Sequence, residues 1–468
     1  MKKRRFAVPH VYILLIGLIL LFSLLTYVIP ASTYDMQTIT IEETGKQREV
    51  VDPDTYRTVD ATPVTLMQFL TAIPRGLQET AQIIFFIFIV GGSMSVLMET
   101  KAIEAGIGRL ARVLKGKSIL IIPVAMLFFS ICGSTWGLAE ETIVFIPIFI
   151  SLCLSMGYDS LTGVGLVLCG ASAGFSGAFI NPFTLQVAQG ICGLPLLSAM
   201  TFRIVMCAVL TLIAMAFIIL HARRVQANPQ SSPVYDIDRA RTDSVDLNNL
   251  PPFGAKEKLI LLVFVLGMVL LVYGVVEFGW YMDEIAALFL GMSFLVAIIA
   301  RTGFNNYAVI MGRGMADVAA GALVVGFARG ILVVMTDGQI LDTILHAAAG
   351  LLGGLPNVLS AIGMYVFQCL LNFLVPSGSG QASISLPILA PLGDMVGVSR
   401  QTACIAFQLG DGISNIFTPT SGYFMAGLAV AKIPWSRWAK WVLPFIAASY
   451  LAGLVFVIVA NAMQLGPF

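Results

Sequence analysis

Apolar runs long enough to span a bilayer alternate along this chain with short polar stretches. The first run covers Val11–Pro30, and a polar stretch, 31–75, follows with Asp35, Glu42, Glu43, Asp52, Asp54 and Asp60. A second run, Thr80–Met98, leads into a basic amphipathic segment, Lys101–Lys117, which carries Arg109, Arg112 and Lys115. Ser118–Met156 reads as two apolar arms joined at Gly133-Ser134-Thr135-Trp136-Gly137. Leu161–Ile191 and Ile204–Leu220 are further runs, and a polar loop, His221–Lys258, with Pro229, Pro233, Pro251 and Pro252 separates them from runs at Leu259–Val276 and Ile285–Ala300.

The remainder repeats the first half. Arg75-Gly76 matches Arg313-Gly314 and Gly92 matches Gly330, both at an offset of 238. Leu127–Gly137 matches Leu370–Gly380 at 243, Pro182 matches Pro419 at 237, and Pro195 matches Pro434 at 239. These anchors keep one order and nearly one spacing. They divide the chain into a first half, 1–221, a cytoplasmic linker, 222–258, and a second half, 259–468. The repeat cores are 75–203 and 313–440, with hairpins at 118–156 and 356–398 and broken helices at 161–191 and 402–431.

Charge sets an orientation. Lys2, Lys3, Arg4 and Arg5 hold the N-terminus in the cytoplasm by the positive-inside rule, so 31–75 is outside and Lys101–Lys117 inside. Three crossings between the repeats invert the second copy. That puts 336–354, with Asp337 and Asp342 but no Lys or Arg, outside, and Arg223, Arg224, Arg301, Arg313, Lys432, Arg437 and Lys440 inside. The C-terminus is then outside. The arm Ser118–Cys132 is shorter than the ~20 residues of a spanning helix, so both two-armed segments are expected to be re-entrant. The fold expected is an all-α polytopic membrane protein of inverted repeats, with two re-entrant hairpins, two broken helices and about nine crossing helices.

Composition agrees with a membrane protein. Of 468 residues 58% are hydrophobic and 11% charged, with net charge +1 and mean hydropathy +0.90. A soluble chain carries about 25% charged residues. No basic surface suggests nucleic acid. The seven cysteines lie mostly in apolar runs without a CxxC pair, so they read as packing residues and not as a disulfide or metal framework. The basic start before Val11–Ile29 reads as an uncleaved first helix, because no A-x-A site follows. Gly170-Ala171-Ser172-Ala173-Gly174 matches G-x-S-x-G, yet it lies in an apolar run with no histidine predicted at its depth. Gly116-Lys117-Ser118 resembles the end of a P-loop, but Ala111 replaces its first glycine. Neither supports an enzyme, and none is expected.

The candidate chemistry gathers at two prolines. Ile180-Asn181-Pro182-Phe183-Thr184 and Phe417-Thr418-Pro419-Thr420-Ser421 each interrupt an apolar run. Backbone groups freed by proline cannot face lipid, and paired breaks in two halves point to a transport site. The tips, with Ser134 and Thr135 in one and Ser377 and Ser379 in the other, are expected to meet the breaks at mid-membrane. Helix N-termini beginning near Leu138 and Gln381 would suit a carboxylate. Glu140, Glu141 and Asp411 are ionisable groups at membrane depth and therefore functional candidates. Only one of the adjacent glutamates is expected to face the site, and each acid has a structural alternative in an ion pair with Arg329. The candidate substrate-binding set is Ser134, Thr135, Glu140, Glu141, Asn181, Thr184, Ser377, Ser379, Asp411, Asn415, Thr418, Thr420 and Ser421. Asn181, Thr184, Asn415, Thr418, Thr420 and Ser421 serve equally as caps of the breaks, and Trp136 either stacks on substrate or seals its tip.

Val8-Pro9-His10-Val11-Tyr12, the span ending Tyr27-Val28-Ile29-Pro30-Ala31, the stretch Gly133–Glu141 and Asp411-Gly412-Ile413-Ser414-Asn415 resemble the YfcC-like branch of the C4-dicarboxylate anaerobic carrier family. The resemblance covers nearly the whole chain. It implies a carrier of the two-hairpin, elevator type in the bacterial inner membrane. It also implies a homodimer by analogy with the wider superfamily, and a link to basic amino acid exchange. The expectation is a secondary active transporter for a small amino or carboxylic acid, favoured as a basic amino acid antiporter. A C4-dicarboxylate carrier coupled to Na⁺ or H⁺ is the alternative, and an ion channel a distant one. No cofactor is expected beyond a coupling Na⁺ or H⁺, with Na⁺ placed near Ser134, Asn181, Ser379 and Asn415. The partners are a small-molecule substrate and the lipid bilayer.

Overall fold

The computed structural model describes residues 11–41, 46–113, 118–241, 253–278 and 280–466. Lys2–Arg5, Glu42, Glu43, Lys115, Lys117, Pro251 and Pro252 lie outside them. The described chain is helical almost throughout. It opens with α1 (Val11–Leu25) and then two small antiparallel pairs: β1 (Ser32–Thr33) with β4 (Arg57–Thr58), and β2 (Met36–Ile41) with β3 (Lys46–Val51). The alternation of Thr38, Ile39, Thr40 and Ile41 suits a strand, so the polar stretch 31–75 is not formless. Its last part is already helix. Thr65 and Gln68 form a capping box that starts α2 (Leu66–Glu79). That helix turns at Thr80 into α3 (Ala81–Glu99).

The chain continues with α4 (Ala102–Val113), α5 (Ile121–Thr135), a 3-10 turn over Glu140–Phe145 and α6 (Ile146–Ser155). Next come α7 (Ser160–Ser176), α8 (Leu185–Ile191), α9 (Met200–Ala227) and the short α10 (Tyr235–Arg239). The second half holds α11 (Ala255–Phe278), α12 (Met282–Ala300), the 34-residue α13 (Phe304–Asp337) and α14 (Leu341–Gly353). It closes with α15 (Asn357–Leu374), α16 (Gly378–Val396), α17 (Arg400–Ser414), α18 (Gly422–Val430) and α19 (Trp435–Ala462). Seven helices among the described residues are long and apolar enough to cross a bilayer.

One of those seven is Ser118–Thr135, 18 residues, so length alone does not mark it as a re-entrant arm. The two ends of its segment nonetheless meet. The Ser118 hydroxyl lies 3.1 Å from the Tyr158 hydroxyl, so the chain between them leaves and returns to one place. The Asn357 amide likewise donates to the Gly397 carbonyl, closing the segment made of α15 and α16. Both two-armed segments are therefore hairpins.

Backbone-to-backbone packing fixes where the hairpins lie. Gly133 of α5 rests on the Ala171 carbonyl of α7, and Gly174 of α7 rests on the Ser130 carbonyl of α5. The G-x-S-x-G match is thus a pair of glycines four apart on a helix-packing face, as membrane helices use. Ser172 donates to the Gly412 carbonyl at 3.1 Å and ties α7 to α17. Helices α9 and α19 pack on the same group: Ser130 bonds Thr211 at 2.6 Å, and Ser414 bonds Tyr450 at 2.8 Å. A second group forms around α13, which runs antiparallel to α2 and α3 along its length. There Gly76 sits on Gly326 and Gly330, and Gly91 sits on Gly314 and Val318.

Polar contacts sort the loops into two ends. At one end Arg75 pairs with Asp337 at 2.5 Å. The Tyr34 backbone N–H donates to Asp342 at 3.0 Å, and the Tyr56 ring stacks on His346 at 3.7 Å. Burial and the neighbouring Asp342 push the Tyr34 hydroxyl up to about 12. Segments 31–75 and 336–354 therefore share one end, as the sequence grouped them. At the other end Asp159 accepts from His221 at 2.8 Å and from Ser232 at 2.7 Å, and Arg437 pairs with Asp236 at 3.0 Å.

Candidate functional site

Each helix break has its freed backbone groups satisfied in its own way. After α7, the N–H groups of Phe179, Ile180 and Asn181 all point to the Ser134 carbonyl, at 3.3, 3.1 and 3.1 Å. The Asn181 side chain accepts from Phe183 N–H at 2.9 Å and Thr184 N–H at 3.2 Å, a side-chain turn that leads into α8. After α17, the carbonyls of Ile416 and Phe417 accept from the indoles of Trp438 at 2.8 Å and Trp435 at 3.0 Å. The Thr418 hydroxyl folds back to the Ser414 carbonyl at 3.2 Å. These contacts meet the demand that backbone at membrane depth faces protein or a cavity.

Between the two groups of helices lies a cavity of about 510 Å³. The first hairpin supplies Gly137, Ala139, Glu140 and Glu141; the tip of the second supplies Pro376, Ser377, Gly378 and Ser379. Thr184, Asn415, Thr420 and Tyr423 come from the breaks and α18, and Glu79 and Arg329 from α2 and α13. Seven of the sequence candidates thus border one space: Glu140, Glu141, Thr184, Ser377, Ser379, Asn415 and Thr420.

Both glutamates border the cavity, whereas the sequence reading expected one. That expectation assumed an α-helix. Gly137 instead turns through φ +71°, and a 3-10 turn carries the pair. Glu141 is 4% exposed, and its carboxylate accepts from the Ala139 N–H at 3.0 Å.

The other candidates sit elsewhere. Ser134 and Thr135 donate to the Ile131 carbonyl of their own helix, at 3.1 and 2.6 Å. Asn181 and Thr418 cap the breaks, and Ser421 is buried behind the second one. Trp136 packs against the apolar cluster that contains Leu138. Asp411 is fully buried and does not border the cavity. Its Oδ1 accepts from Asn372 at 2.8 Å and Asn415 at 3.1 Å, while Oδ2 has no hydrogen-bond partner. A Cβ added to Gly378 would lie 3.1 Å from Oδ2, so Gly378 stands between this acid and the cavity. Of the residues named for Na⁺, Ser379 and Asn415 border the cavity. Ser134 and Asn181 hold the first break. Among the described residues no group of three or more His, Cys, Asp or Glu side chains could hold a metal.

Asp411 orders its neighbours. Asp411→Leu would strand the buried Asn415 amide, at about 1–3 kcal/mol, while Asn372 keeps Gln381 and Asn415 as acceptors; Asp411→Asn keeps an acceptor oxygen. Thermal unfolding in detergent is expected to show a much larger loss for leucine than for asparagine; equal losses would contradict this role.

Reading the sequence missed Glu79 and Tyr281. It also offered Arg329 as a partner for the hairpin acids. Arg329 instead donates from Nε to Glu79 Oε2 at 2.7 Å. Three carboxylates and one guanidinium therefore line the cavity. The missed signal was the capping box at Thr65, which carries the helix on to Glu79.

The model of the C4-dicarboxylate anaerobic carrier family matches residues 8–462. A protein of Escherichia coli (strain K12) named "Putative basic amino acid antiporter YfcC" is 36% identical over 98% of this chain and 97% of its own. An "Uncharacterized protein" of Haemophilus influenzae (strain ATCC 51907 / DSM 11121 / KW20 / Rd) is 28% identical over 98% of both chains. Among solved structures, the Alcanivorax borkumensis YdaH transporter matches 98% of this chain and 100% of its own, at 18% identity and TM-score 0.43. MtrF of Neisseria gonorrhoeae matches 97% and 95%, at 18% identity and TM-score 0.39.

Proposed function

We propose, from the premise that the chain belongs to the C4-dicarboxylate anaerobic carrier family, that this multi-pass membrane transporter is a secondary antiporter for basic amino acids. The observation that carries the reading is the charge of the cavity. Glu79, Glu140 and Glu141 line the cavity with one guanidinium, Arg329, and an acidic site at membrane depth favours a cation. The name of the Escherichia coli relative points the same way. A C4-dicarboxylate would add two negative charges to a site that already has an excess.

In this reading Glu140 and Glu141 hold the cationic end of the substrate. The N-terminal turn of α16, capped by Ser377, borders the same cavity and adds a partial positive charge to the electrostatics of the end that takes the carboxylate. Thr184, Asn415 and Thr420 complete the polar lining.

An inverted repeat fits the packing. The repeat relates residue 76 to 314 and 92 to 330, and Gly76 touches Gly330 while the 91–92 pair touches Gly314 and Met311. A two-fold axis through this crossing exchanges one contact for the other. Counting each broken helix once, α2 with α3 once, and each hairpin as a return gives nine crossings, with the N-terminus in the cytoplasm and the C-terminus outside. The hairpins and broken helices, with α9 and α19 packed on them, form the moving unit of an elevator. The group around α13 is its scaffold and the homodimer contact. The inner membrane is the location, and counter-substrate, H⁺ or Na⁺ the driving force.

A ligand that binds the folded protein raises its melting temperature in proportion to RT ln(1 + [L]/Kd). Arginine, ornithine or lysine is expected to stabilise the purified protein, and succinate or fumarate not. Stabilisation by the dicarboxylates alone would overturn the reading.

A further inference from the structure

We infer that the Arg329–Glu79 ion pair is the subsite for the substrate's α-carboxylate and α-ammonium groups, leaving Glu140 and Glu141 to its side-chain cation. This rests on the basic amino acid reading above. Arg329 lies well inside α13, and Glu79 closes α2 just before the turn at Thr80. Only Nε of the guanidinium is engaged, with Glu79 Oε2 at 2.7 Å. The two Nη groups and Glu79 Oε1 have no hydrogen-bond partner among the described residues. The two side chains keep 39% and 41% of their surface accessible, and both border the cavity.

The pair is not needed to join its helices. Gly76 already packs on the backbone of Gly326 and Gly330, and Arg75–Asp337, at 2.5 Å, clasps the same helices nearer one end without bordering the cavity. An ion pair facing a cavity with most of its hydrogen-bonding capacity open suits an incoming dipole. The head of an α-amino acid is that dipole: its carboxylate matches the guanidinium fork, which takes planar two-oxygen groups, and its ammonium matches Glu79. A guanidinoamine lacking the carboxylate leaves Arg329 unmatched, and a dicarboxylate leaves Glu79 unmatched.

The test is competition in proteoliposomes that exchange labelled arginine. The competitors are arginine, agmatine (arginine without its α-carboxylate) and Nα-acetylarginine, whose α-nitrogen is uncharged. The wild type is expected to prefer arginine over each analogue by at least about tenfold. Arg329→Gln should bring arginine down to the level of agmatine, and Glu79→Gln to that of Nα-acetylarginine. Arg329→Lys, which keeps the charge without the fork, should give an intermediate ratio and decides the matter if Arg329→Gln does not fold. Wild-type ratios in the variants would overturn the subsite alone. No arginine exchange by the wild type would overturn the function reading, and the subsite with it.

Discussion

Replacing Glu140 and Glu141 together by glutamine is expected to weaken exchange of basic amino acids by about 100-fold or more, with the protein still folded. Each carboxylate offers a charge-assisted hydrogen bond worth about 1.5–3 kcal/mol to a cationic group. Losing two such bonds exceeds the 1.4 kcal/mol that makes a tenfold change several times over. The fold should survive, because the Glu141 carboxylate makes one hydrogen bond among the described residues, with the Ala139 N–H, and a glutamine oxygen reproduces it. Single substitutions should cost less, since both carboxylates border the same space and one can compensate for the other. The half-saturating arginine concentration of the double variant, measured beside its melting temperature, checks this. An unchanged concentration would remove the glutamates from the site.

Gly174→Leu should have the larger effect on the folded state. The hydrogen on the Gly174 Cα faces the backbone carbonyl of Ser130, so any side chain there must displace α5 itself. Overpacking a tight core commonly costs about 1–3 kcal/mol and sometimes more, and here no flexible side chain can yield. The damage would also reach the site. Four residues beyond Ser130 is Ser134, whose carbonyl receives the three N–H groups of the first break. Little monodisperse protein is therefore expected from Gly174→Leu. Gly291→Ala is the control: nothing lies within 4 Å of a Cβ at that position, and its melting temperature should stay close to wild type. A Gly174→Leu protein as stable as that control would contradict the packing account.

What the sequence revealed follows from which forces are local. Pro182 and Pro419 break helices through their own ring and missing N–H, so both breaks were legible, as were the glycine- and serine-rich tips between apolar arms. The rotation of a helix about its axis is not local. Asp411 looked like a site residue because its depth was right, but Asn372 and Asn415 hold it on the far side of Gly378. The glutamates both reached the cavity because the chain between Gly137 and Phe145 is not an α-helix, and nothing in their spacing announces that. Glu79 escaped because α2 is too amphipathic to resemble a membrane span. Only its continuation through Thr80 into α3 carries the helix, and with it the glutamate, into the protein.

The central claim is that this cavity carries a cationic amino acid, and counterflow in proteoliposomes tests it most directly. Vesicles are loaded with unlabelled arginine, ornithine, lysine, succinate or fumarate, and entry of the matching label is followed without ion gradients. Transient accumulation with the basic amino acids, abolished in the Glu140→Gln/Glu141→Gln variant, is the predicted result. Accumulation with the dicarboxylates alone would contradict the account.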